Sequence, residues 1–172
     1  VGVVVHPGSD LDEVDAARTA LVGAGVKVLL VAQHGGPVGL GSAVHAQRSF
    51  ITATSVELDA VLLAGSPPPA LDSDPNLDAK AGNPQAPAAA DPRVVMLLQE
   101  AYRHAKPIIG WADAGLALDS AGIAPAAAGV VLLDTDTSGV DASGKGAGPA
   151  AVDAVLPLLA AHRVWDRFAT AL

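Results

Sequence analysis

No cysteine occurs anywhere in the chain. Disulfides, thiolate nucleophiles and zinc–thiolate sites are thereby excluded together. Aromatics are almost as scarce, with two Trp, one Tyr and two Phe in 172 residues, so the core has to be built from Val, Leu, Ala and Ile. Charged residues make up 16%, with 18 acidic against 10 basic side chains and a formal net charge of -8. No Lys/Arg cluster offsets that balance, which argues against nucleic acid or an anionic membrane as partner. Apolar runs end at Gly, Pro or a charge well short of the roughly 18 residues that a membrane-spanning helix needs. Val1 opens directly into an apolar run, with neither an initiator Met nor a signal peptide, and we read the chain as a piece of a longer polypeptide.

Several catalytic patterns are missing too. There is no G-x-S-x-G stretch, and Ser66, which follows an apolar run, leads into three prolines rather than a helix. The five histidines (His6, His34, His45, His104, His162) include no pair at metal-ligand spacing on a helix. His104 stands near a helix C-terminus, where a cation meets the negative end of the dipole. His6 ends the first apolar run, so it could face a site at the carboxyl rim of a sheet.

What is present is a regular alternation of apolar patterns. Val1 to Val5 reads as a buried strand, His6 to Ser9 as a turn, and Asp10 with Glu13 as a capping box. Leu11, Val14, Leu21 and Val22 line a helix that closes at Gly23 to Gly25, and Val26 to Val31 is a second buried strand. Together they make a βαβ unit. Between Ala43 and Glu57, Phe50, Thr52 and Thr54 alternate with Ile51 and Ala53, which predicts a small antiparallel excursion. Asp59 to Gly65 returns to a buried strand, Arg93 to Ala105 is an amphipathic helix, and Gly129 to Leu133 is a last strand. Ser66 to Pro92, rich in proline, and Asp134 to Gly148, polar, read as surface loops. Pro149 to Phe168 reads as helical, with Pro157 expected to kink or split it and Trp165 expected to bury its ring. We see no internal repeat. The alternation implies one α/β domain over residues 1–172, with helices on a mostly parallel sheet.

The second loop carries two tempting spacings. Gly139 to Lys145 has the G-x4-G-K spacing of a phosphate-binding loop, but Gly146 replaces the magnesium-binding Ser or Thr and Asp141 would repel phosphate. Asp134, Asp136, Ser138 and Gly139 copy the start of a calcium loop, but Lys145 stands at the twelfth position. A solvated turn accounts for both.

The sharpest corner lies between 106 and 123. Lys106-Pro107 ends a helix, Ile108-Ile109 is a buried strand, and Ala114, Leu118 and Ala121 already keep helical spacing until Gly122. A strand turning that fast into a helix puts its turning residues at the carboxyl end of the sheet, where open α/β folds keep their sites. Those residues are Trp111, Ala112 and Asp113, and none is a ready nucleophile.

The Lys106-Pro107-Ile108 approach resembles the Cys-nucleophile elbow of the class I glutamine-amidotransferase-like superfamily. Ala112 falls at the Cys position and Asp113 at the following His position. Over most of the chain the resemblance is to the C-terminal domain of large-subunit, haem-containing catalases. It is carried by Leu158 to Arg167, by Ala101 to Pro107, by Val1 to Val5 with its helix, and by Gln47 to Val61 with Asp59-Ala60-Val61. That resemblance implies a flavodoxin-like three-layer sandwich whose elbow, Ala112 and Asp113, is vestigial. It implies a non-catalytic accessory domain, without cofactor or metal of its own, supporting assembly and stability of a cytoplasmic homotetramer. Its partners would be the catalase core and sister subunits, and haem iron and peroxide breakdown would belong to the parent chain. The rival readings are a stand-alone hydrolase or glyoxalase-like enzyme of the same superfamily, and a chaperone-like binding module.

Overall fold

Val1 to Val5 can be apolar at every position because apolar layers lie on both sides of it. In the computed structural model, which describes residues 1–39, 44–65, 90–133 and 146–168, it forms the middle of a parallel sheet. Strands β1 (Gly2–Val5), β2 (Leu29–Ala32), β5 (Arg48–Ser49), β6 (Val61–Ala64), β7 (Ile108–Trp111) and β8 (Val130–Leu133) run in the order β5-β2-β1-β6-β7-β8. Every pairing in that sheet is parallel, with Val3 opposite both Leu30 and Leu62. The excursion is a small antiparallel ladder of β3 (Gly36–Pro37) and β4 (His45–Ala46).

Alternation along the strands sorts the core into two layers. Val3, Val5, Leu62, Ile109 and Trp111 pack beneath helices α1 (Leu11–Gly23) and α4 (Ala147–Ala160). Val4, Leu63 and Ile108 pack on the other face against α2 (Pro92–Arg103) and α3 (Gly115–Ser120). The result is the expected three-layer sandwich. The chain leaves β1 toward β2 and β5, then crosses back to β6 on the other side of β1. The switch point of the sheet therefore lies between β1 and β6.

Several local expectations need correction. Phe50, Ile51 and Thr52 form a turn, not an alternating strand, and the preceding Arg48–Ser49 joins the main sheet parallel to β2. Phe50 is apolar because it is buried in the second layer. Pro92 belongs to α2 rather than to the loop before it. It occupies the first turn, where its missing N–H is no loss, behind an Asp91 carboxylate that accepts from Arg93 N at 2.9 Å. Asp10 caps α1 by accepting from Asp12 N and Glu13 N, but Glu13 does not close a local box. Its carboxylate accepts from Gly148 N at 2.7 Å and so caps α4 from across the layer.

The C-terminal segment departs most from expectation. Helix α4 runs through Pro157 without splitting there and stops three residues later, at Ala160. Trp165 to Phe168 is a separate 3₁₀ turn, and Trp165 is 70% exposed rather than buried. Neighbouring residues hold the turn instead. Val164 N donates to Ala105 O at 2.7 Å, and the Arg167 guanidinium donates to Ala128 O, Tyr102 O and Lys106 O. Those carbonyls precede β7 and β8, so the turn closes the amino edge of the sheet. Two of the segments with functional spacings, 66–89 and 134–145, lie outside the described residues. Among the described residues, no helix is long and apolar enough to cross a membrane.

Candidate functional site

The carboxyl ends of β1, β6 and β7 bring His6, Gly65 and Ala112 to one rim beside the switch point. At Trp111 the backbone is still extended, with φ -141° and ψ 167°. At Ala112 it swings to φ 53°, and a 3₁₀ turn then feeds α3. A non-glycine residue in this left-handed region is strained by roughly 1–2 kcal/mol. The sharp corner expected from the sequence is therefore present, and the side chain it displays is a methyl group.

Gly65 makes the corner possible from the other side. A β-carbon on Gly65 would lie 2.7 Å from Asp113 Oδ1 and 2.8 Å from Asp113 N. Only glycine lets the end of β6 come so close to the turn. Ser9 ties the third strand in. Its hydroxyl accepts from His6 N at 3.0 Å and donates to Ala64 O at 2.5 Å, so both roles of that hydroxyl are taken. Behind the corner, the Trp111 indole is 2% exposed and its Nε1 finds no acceptor among the described residues.

His6 is the histidine the structure places at this rim. The imidazole lies within electrostatic reach of Asp113 and also of Asp91. Burial pushes the His6 pKa below its ordinary value, while the two carboxylates pull the other way. Its ring faces Phe50 at 6.0 Å, and the Arg93 guanidinium lies 5.9 Å from the Phe50 centroid. Arg93 is forked onto Asp91 at 2.7 and 2.5 Å, and this pairing holds the Asp91 carboxyl below the usual range. Phe50, Asp91 and Arg93 are rim residues that sequence reasoning missed. Only the Asp91-Pro92 pair, a cap followed by a first-turn proline, carried a signal.

The other histidines are not gathered here. His34 and His45 border the antiparallel ladder, His104 is the C-cap of α2 as its dipole role suggests, and His162 follows α4. Among the described residues, no group of three His, Asp or Glu side chains could hold a metal ion. Ser66 and the patterns at 134–145 lie outside the described residues. Chemically, the rim offers an imidazole within electrostatic reach of two carboxylates, and a strained corner whose side chain has neither a lone pair nor a labile proton.

Comparison with solved structures places the fold. Drosophila melanogaster DJ-1beta superposes with a TM-score of 0.59 at 18% identity, covering 96% of this chain and 91% of that one. A ThiJ/PfpI domain protein from Brachyspira murdochii gives 0.51 at 18%, covering 70% and 62%. A two-domain protein from Anabaena variabilis, with DJ-1/ThiJ/PfpI-like and ferritin-like domains, gives 0.52 at 17%, covering 70% and 31%. The chain thus spans less than two thirds of the latter two. No match to a curated protein is found. The family model that matches runs over residues 1–169, nearly the whole chain, and describes the C-terminal domain found in long catalases. By that match, and with a fold that agrees, the chain belongs to the family of C-terminal domains of long catalases.

Proposed function

We propose that this chain is a non-catalytic accessory domain of a long catalase, supporting assembly and stability of the parent homotetramer in the cytoplasm. The observation that carries this reading is Ala112: its backbone keeps the φ of 53° that displays a side chain at a nucleophile elbow, and it displays a methyl. Where nucleophile and base act as a unit, loss of the nucleophile alone can remove about six orders of magnitude in rate. Haem and peroxide chemistry belong, on this reading, to the catalase core that precedes the domain. The one tyrosine, Tyr102, does not fit an axial haem ligand. Arg167 lies 4.2 Å above its ring and Phe168 meets it edge-on at 6.5 Å, so its surroundings are a packing contact.

The test has two arms. The purified chain, verified haem-free by absorbance, is assayed against peroxide, glyoxal and ester substrates. Background rates throughout are expected. The parent catalase is then compared with a version truncated before Val1, and the truncated protein should dissociate and melt more readily. An equally stable truncated tetramer would remove the accessory role.

A second reading, a residual hydrolase or glyoxalase-like activity, is favoured by one observation, the proximity of His6 to Asp113. A half-buried imidazole within electrostatic reach of a carboxylate can serve as a general base. Turnover that disappears in both His6→Asn and Asp113→Asn would establish it in place of the accessory role.

A further inference from the structure

We draw no further inference here: the strongest candidate, the exposed patch of Trp165 and Phe168 on the turn that closes the amino edge of the sheet, carries nothing because nothing among the described residues shows what covers it.

Discussion

Gly65 and Asp113 meet across the carboxyl rim with no room for a side chain between them: a β-carbon at 65 would come within 2.8 Å of the Asp113 nitrogen and nearer still to the Trp111 carbonyl oxygen. Both neighbours are largely backbone and cannot swing aside. Gly65→Ala must therefore move the corner, and overpacking of this kind destabilises by about 1–3 kcal/mol. For a chain of this length each kcal/mol is worth about 2–4 °C of Tm. Thermal unfolding of Gly65→Ala at neutral pH checks it, and an unchanged Tm would mean that β6 and the corner are not held this close.

Glu13 and Gly148 define a second close contact, 135 residues apart in sequence. The Glu13 carboxylate accepts from Gly148 N in the first turn of α4, where the helix dipole favours a negative charge. A β-carbon on Gly148 would strike the Glu13 backbone oxygen, so the two helices cross at van der Waals distance. Glu13→Ala should lose about 1.5–3 kcal/mol, the worth of a hydrogen bond to a charged group. Glu13→Gln, which keeps an acceptor, should lose less. Equal losses in the two variants, measured by urea titration, would locate the effect in packing instead.

These two contacts also mark how far the sequence could be read. The layer order was legible, because continuous apolar strands alternate with helical spacings, and so was the corner at 111–113, which needs only a strand and a helix three residues apart. Close approaches such as Gly65 on Asp113 and Gly148 on Glu13 were not, since a glycine does not advertise what it faces. Glu13 carried a misleading local signal, three residues after a cap, while its actual partner is on a distant helix. Trp165 misled by composition. A tryptophan in a chain with five aromatics suggests a buried ring, yet the carbonyls of the amino edge need a donor, and Arg167 took the inner position.

His6 should give the protein a pH-dependent stability. Its folded pKa is lowered by burial, so between that value and the unfolded value of about 6.5 the unfolded chain binds the extra proton. Stability therefore rises with pH through this window, is complete above about 6.5, and carries its full penalty below the folded pKa. Asp113 and Asp91 oppose the shift and narrow the window. The Asp91 carboxyl is also held below its ordinary range, by its bonds to Arg93, so its contribution is lost only at more acidic pH, as it protonates. Chemical denaturation from pH 5 to 7 should show a rising slope that His6→Asn flattens. A slope that survives the substitution would place the titrating group elsewhere.

Ala112 offers the most direct probe of the corner itself. At φ 53° an alanine is held against an intrinsic preference of roughly 1–2 kcal/mol, while glycine adopts that conformation freely. Glycine also adds unfolded-state entropy worth about 0.5–1 kcal/mol, which offsets part of the relief. Ala112→Gly should therefore be neutral to about 1 kcal/mol more stable. The control is Ala117→Gly, a buried residue in α3 with ordinary helical geometry, which should lose about 1 kcal/mol. Ala112→Val should be the worst of the three, because a β-branched side chain tolerates the left-handed region least. If Ala112→Gly destabilised as much as Ala117→Gly, the turn would not be strained, and the case for a retained nucleophile elbow would lose its footing. If the predicted order holds, the chain keeps a conformation that its side chain disfavours, at the one corner where a reactive side chain would have needed it.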